Sequence, residues 1–241
     1  MKIWQKCMMV FSCCWLSTSY AQGGIHLLTE DYPPYNMIDA KGKVGGLSTE
    51  IVREMFARSG FLYQLDLVPW MRAFNSAVLY PNSCVYSTTR TDNREHQFKW
   101  VGPLVENVWV LYAGPQSPKN ILTLENTRRF KIGGYSGDAE SQYLIAQGFN
   151  VELTPNDDLN PRKLALGRID FWASSQYRGH YLINQNKLTN LKQVLMFNTV
   201  FLYLACNRGL PDNTIHQLND ALQGMRRDGF IARVQARYSV E

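Results

Sequence analysis

The sequence predicts an α/β fold arranged as a two-lobed clamshell, each lobe a small sheet flanked by helices and the lobes joined by two crossover strands. Three observations predict it. Strand-like and helix-like segments alternate along the chain. Two long apolar runs without a helical period, "FKWVGPLVENVWVLYAG" at 98–114 and "LKQVLMFNTVFLYLAC" at 191–206, stand a lobe's length apart and read as an outward and a return crossing. Removing a leader of 21 residues from 241 leaves 220, enough for two modest lobes. The expected boundaries are 22–102 with 199–241 for lobe 1 and 103–198 for lobe 2.

The leader is read from three adjoining pieces. "MKIWQK" is a basic n-region, "CMMVFSCCWLS" an apolar h-region and "TSYA" a small-residue ending, so cleavage is expected after Ala21 and a periplasmic location follows. The apolar run falls short of the roughly 20 residues a bilayer span needs, and no later segment is apolar enough for stable membrane insertion. Without Lys2 and Lys6, 23 basic residues face 20 acidic ones, a mild excess of 3 that gives no reason to expect nucleic acid. Cys84 and Cys206 remain in an oxidising compartment. Both lie in apolar strand-like runs, where the expectation is a buried free thiol, with a disulfide as the alternative.

The elements follow in order. "IHLLT" reads as a strand, and "STEIVREMFARSG" as a helix opened by Ser48 or Thr49, apolar at Ile51, Val52, Met55 and Phe56 and stopped at Gly60. "FLYQLDLV" is a strand, "WMRAFNSAVL" a helix ended by Pro81, and "SCVYS" a strand whose carboxyl end carries "STTRTDNREHQFKWVGPL", residues 87–104. In the second lobe "FKIGGYSGDAESQYLIAQG", "NVELT", "PRKLALGRIDFWASS" and "QYRGHYLINQN" give further strand and helix units. After Pro211 a helix carries Ile215, Leu218, Leu222 and Met225 on one face, and a short helix after Gly229 ends the chain, both expected to pack on lobe 1.

The segment at 87–104 carries the candidate chemistry. Ligands of open α/β sheets collect beyond the carboxyl ends of strands. Asp92 and Glu95 have capping-box spacing, so a short helix should start there and turn unpaired N–H groups toward Ser87 and Thr89. Arg94 adds a planar fork of donors suited to a carboxylate. Trp70 and Arg72 begin a helix near the same cleft, where Trp70 is equally well read as a core aromatic and a helical arginine is ordinarily solvent-facing. His26, His96, His180 and His216 lack metal spacing, no Walker loop or nucleophile elbow is present, and no cofactor is expected.

The chain resembles the periplasmic solute-binding proteins of the polar amino acid type, extracellular solute-binding family 3, across nearly all its mature length. The resemblance rests on the order and spacing of "DYPPYNMIDAKGKVGGLSTEIV", "STTRTDNRE", "FKWVGPL", "LALGRIDFW" and "LNDALQGMRRDGFIARVQARY"; "VPWMRAF" and "REHQFKWVGP" are similar to a short branch of that family. It implies a carboxylate clamp at Ser87, Thr89 and Arg94 and an aromatic cover at Tyr32. Further contacts are expected from Tyr135, Gly137 and Ser175 when the second lobe closes over a small anionic or zwitterionic, amino acid-like solute.

The resemblance also implies a monomer that passes its solute to an ABC-type permease or signals to a membrane receptor. Two departures stand out. Asp138 and Ala139 replace the family's threonine pair, and Ser175 replaces its aspartate for the ligand's ammonium group. The family is similar to cyclohexadienyl dehydratases, in which a cleft carboxylate acts as general acid. Asp138 and Glu140 are the residues to weigh for that role, against the simpler reading that they are dipole partners in a helix's first turn.

Overall fold

A computed structural model describes residues 24–238; the leader and its cleavage point lie outside the described residues. The chain runs β1 (Ile25–Thr29), β2 (Met37–Ile38), β3 (Val44–Gly45), α1 (Leu47–Ser59), β4 (Tyr63–Leu67), α2 (Trp70–Leu79), β5 (Ser83–Thr89), α3 (Asp92–Glu95) and β6 (Phe98–Ala113). After a 3-10 turn at Leu124–Thr127 come β7 (Ile132–Tyr135), α4 (Ala139–Ala146), β8 (Val151–Thr154), α5 (Leu159–Ala165), β9 (Phe171–Ser175), α6 (Gln176–Gln185), β10 (Lys192–Asn207), α7 (Asp212–Arg227) and α8 (Phe230–Tyr238).

The strand order is β4-β1-β5-β10-β6-β9-β7-β8. β6 and β10 pair antiparallel along their whole length, from Phe98 opposite Asn207 to Ala113 opposite Lys192. Toward Asn207, β10 also pairs with β5, while toward Ala113, β6 pairs with β9. These two 16-residue strands therefore belong to both lobes. Neither β5 nor β9 pairs with the stretch between, at 106–108 and 199–201.

Each lobe has three layers, as the strand period of two requires when helices cover both faces. On β1, Leu27 faces the cluster made with α1, α7 and α8, and Leu28 faces the cluster under α2; on β5, Cys84 and Tyr86 take the first side and Val85 the second. In lobe 2, Val110, Tyr112 and Trp172 pack toward Leu182 and Ile183 of α6, while Leu111, Phe171 and Ala173 pack toward Leu144 of α4. The carboxyl-terminal helices return to lobe 1, where Leu218, Leu222, Met225, Ile231 and Val234 are buried.

Three local expectations are corrected. Cys84 and Cys206 form a disulfide, because the β5–β10 register sets them directly opposite one another with Cα atoms 4.0 Å apart. Helix α1 is not opened by Ser48 or Thr49; it begins at Leu47 after Gly46, whose φ of 104° and close approach to the Tyr35 carbonyl exclude a Cβ. Thr49 instead meets the Tyr86 hydroxyl at 2.9 Å. Asp92 is not a cap: Thr91 precedes α3 without a side-chain bond, and Glu95 turns away to take two hydrogen bonds from Arg90, at 2.5 and 2.6 Å. Among the described residues no helix is long and apolar enough to cross a membrane.

Candidate functional site

The lobes are closed on one another, so the open cleft that two free lobes would present is not the arrangement described. Among the described residues five polar contacts cross between them, one of them from Arg94 Nη2 to Gln142 Oε1 at 3.5 Å. Trp70 Nε1 and Arg94 Nη2 each donate to the Gly137 carbonyl at 2.9 Å, Tyr135 Oη donates to Glu30 Oε2 at 2.9 Å, and Ser175 Oγ lies 3.5 Å from Tyr35 Oη. Aromatic contacts reinforce them. Tyr177 meets Tyr35 edge-on at 6.1 Å, and the Arg178 guanidinium lies 4.9 Å from the centre of the Tyr32 ring.

Local folding explains why these residues converge. The loop after β1 is pinned by Asn36, which donates to the Glu30 carbonyl at 2.6 Å and accepts from the Ser87 hydroxyl. Ser87 ends the regular part of β5 at φ 61°, a left-handed conformation rare for a residue with a Cβ. Thr89 presents its carbonyl to Arg94 Nη1 at 3.2 Å. The Arg94 guanidinium sits against Phe74 and Trp70, 5.2 and 5.6 Å from the ring centres. With only 4% of its surface exposed, Arg94 is a buried cation; burial lowers its pKa, and the charge of Asp138 opposes that shift.

Tyr32, Trp70, Ser87, Thr89 and Arg94 line one small cavity with Glu30, Asn107, Asp138 and Leu202; its volume is about 10 Å³. That space is close to the minimum for one water molecule. Beside it, a larger cavity of about 330 Å³ is lined from lobe 1 by Glu30, Asp31 and Pro69 and from lobe 2 by Tyr135, Asp157, Asp158 and Arg178. Gly137 forms the opposing wall of the Arg94 region through its carbonyl.

Two of the sequence candidates sit differently from the rest. Arg72 is exposed on α2. Ser175 is buried as the N-cap of α6, where it accepts from the Arg178 N–H at 3.3 Å. Trp70 serves both readings weighed for it, because it packs in the lobe 1 core and turns its indole N–H into the cleft.

Sequence reasoning singled out Asp138 and Glu140 but missed Glu30 and Asp157 on the acidic side of the cleft. Burial pushes the Glu30 carboxyl up to about 8 despite the Tyr135 hydrogen bond and the nearby Arg178. Burial also raises Asp138 to about 6, with the Arg94 charge opposing. Asp157 is raised by burial, and Glu140 is raised further by burial and by its neighbours Asp138 and Asp157. Arg178 pairs with Asp158 at 2.7 Å and Asp157 at 3.6 Å. A signal for Arg178 was present: a cation in a helix's first turn opposes the helix dipole and calls for nearby carboxylates.

The match to a family model now bears on the cleft. Residues 25–241 match the model of the bacterial extracellular solute-binding proteins, family 3. The chain belongs to that family. A protein of Neisseria gonorrhoeae named as a probable histidine-binding protein is 24% identical over 215 residues, covering 86% of this chain and 80% of its own. Among solved structures, a histidine kinase sensor domain similar to periplasmic binding proteins superposes with a TM-score of 0.82 at 24% identity, over 90% of this chain and 96% of its own. An ancestral arginine-binding protein bound to arginine superposes with a TM-score of 0.78 at 19% identity, over 91% and 99%. These structures share the fold of this family member.

Proposed function

We propose that this family member is a periplasmic receptor that captures a small zwitterionic or anionic, amino acid-like solute between its lobes and delivers it to an ABC-type permease. The observation that carries the reading is the buried Arg94, which lines one interlobe cavity with Tyr32, Trp70, Ser87 and Thr89. A guanidinium held this way is a carboxylate anchor, because its fork of donors matches two carboxylate oxygens. In the closed state one of those donors is spent on the Gly137 carbonyl. A ligand carboxylate would take that place when the lobes separate, and Tyr135, Gly137 and the Ser175 region would contact it as they return.

The leader is read as the export signal, with cleavage after Ala21. Binding without turnover fits Asp138 and Glu140 better than acid catalysis. Asp138 accepts from the Glu140 N–H at 3.2 Å as the cap of α4, and Glu140 is buried in the first turn. The permease, or a membrane receptor in its place, would read the closed form.

The test is a thermal-shift screen of mature protein against amino acids, organic acids and sugars, since a ligand bound only by the native state raises the midpoint by mass action. An amino acid or organic acid is expected to register. In Arg94→Ala its affinity should fall about tenfold or more, the scale set by losing a charge-assisted bond to a buried partner. Unchanged affinity in Arg94→Ala overturns the anchor.

A further inference from the structure

Glu30 borders two cavities between the lobes. On one side is the Arg94 cavity; on the other is the larger space reached past Asp31, Asp157, Asp158 and Arg178. A solute whose carboxylate sits on Arg94 and whose remainder occupies the larger space must pass Glu30. Resting on the solute-binding reading above, we propose that Glu30 receives the ligand's positively charged amino group and so selects amino-bearing solutes over their deaminated counterparts.

The side chain is placed for this and is incompletely used by the protein. Its backbone is fixed by the Asn36 amide, and Oε2 accepts from Tyr135 at 2.9 Å. A carboxylate has about four acceptor positions, so one phenol leaves capacity on the side that lines the cavities.

The cations near Glu30 are engaged elsewhere: Arg94, which lines one cavity with it, donates to the Thr89 and Gly137 carbonyls. The groups that face Glu30 are Tyr135 of β7, Asp138 at the start of α4, Asp157 before α5 and Arg178 of α6. Arg178 is already committed to Asp157, Asp158 and the Tyr32 ring. Next to Asp138, Glu140 is 2% exposed and has a buried oxygen with no hydrogen-bond partner among the described residues. Carboxylates therefore outnumber cations where the lobes meet, and a cation brought by the solute would correct the imbalance.

The alternative to a bound cation is a bound proton. In the closed cleft burial raises the Glu30 carboxyl to about 8, with the Tyr135 hydrogen bond and Arg178 opposing. An ammonium drawn against it favours the carboxylate, so an amino-bearing solute takes the place of that proton in the closed cleft, and a deaminated one does not.

The experiment pairs each probe with its des-amino analogue: L-arginine with 5-guanidinopentanoate, L-histidine with imidazolepropionate, and L-glutamate with glutarate. Calorimetry reads the affinities. At least one amino acid should bind about tenfold or more tighter than its partner, and the preference should vanish in Glu30→Gln. Tyr135→Phe, which keeps the carboxylate, should keep the preference.

Equal affinity within every pair that binds overturns the Glu30 assignment and leaves solute binding intact. So does a preference that survives in a Glu30→Gln protein whose circular dichroism matches the parent. Absence of binding by every probe overturns both readings for these solute classes.

Discussion

Gly137 shows how one residue can decide whether the lobes meet. Its φ is +80°, and a Cβ there would fall 2.4 Å from Met71 Sδ and 3.2 Å from the Trp70 ring across the cleft. Left-handed backbone costs a residue with a Cβ about 1 kcal/mol, and the contact with α2 adds to that only when the lobes are shut. Gly137→Ala should therefore leave each lobe folded while weakening ligand binding severalfold, and calorimetry with the screened solute reads it.

Glu30 and Asp138 set the pH dependence of the same event. Both hold protons more tightly in the closed cleft than an ordinary carboxyl does, because closure buries them. A raised pKa favours the closed form at low pH, and the advantage is lost as pH rises from the ordinary 4.5 of a glutamate through about 8. Without added solute, the closed fraction measured by lobe-to-lobe fluorescence transfer should fall over that window. Glu30→Gln, neutral at every pH, should flatten the upper part of the fall. That Arg94, Ser87 and Thr89 would lie together could be read from the sequence, because hydroxyls and an arginine followed a strand's carboxyl end, and they line one cavity. Glu30 follows β1 in the same way, but its chemistry depends on lobe 2 residues that lie more than a hundred positions away.

At the scale of the element, the long regular segments and the short helix α3 were readable, and the shortest strands and turns were not. Helix α1 shows apolar residues at helical spacing and stops at Gly60, whose N–H returns to the Phe56 carbonyl; β1 and β5 show runs of β-formers bounded by turn residues. The two-residue strands β2 and β3 and the 3-10 turn at Leu124–Thr127 are too short to carry a period.

The disulfide was illegible for a different reason. It depends on which strand lies beside β5, and β10 arrives there from 122 residues away. Closing so long a loop should stabilise lobe 1 by about 2–5 kcal/mol in the chain-entropy account. Cys84→Ser with Cys206→Ser should lower the unfolding midpoint by several degrees or more, and a reducing agent should do the same to the parent protein once unfolding exposes the buried bond. A midpoint unchanged in the double variant would mean that neighbouring strands already supply the constraint.

For the whole molecule, the crossings were visible as two apolar runs, but their length concealed where lobe 1 gives way to lobe 2. We place the change-over where the pairing stops: β5 holds β10 up to Leu202, β9 holds β6 from Trp109, and 106–108 with 199–201 lie between. Two strands joined only to each other are the natural place for a hinge, since bending there breaks no contact to either lobe's sheet. The closed arrangement leaves about 10 Å³ at Arg94, too little for an amino acid. A solute can reach that arginine only if the Gly137 turn withdraws from Trp70 and Arg94.

Opening loses the five cross-lobe polar contacts, each worth about 0.5–1.5 kcal/mol net, and regains water for Glu30, Asp138 and Glu140. Opposing terms of that size keep both states within reach, so a ligand that contacts both lobes shifts the population by its differential affinity. Small-angle scattering on the mature protein should show a smaller radius of gyration with saturating solute than without. Gly137→Ala should show the larger radius in both conditions. A parent profile that solute leaves unchanged, under conditions where calorimetry shows the site filled, would separate binding from closure and remove the hinge from the mechanism.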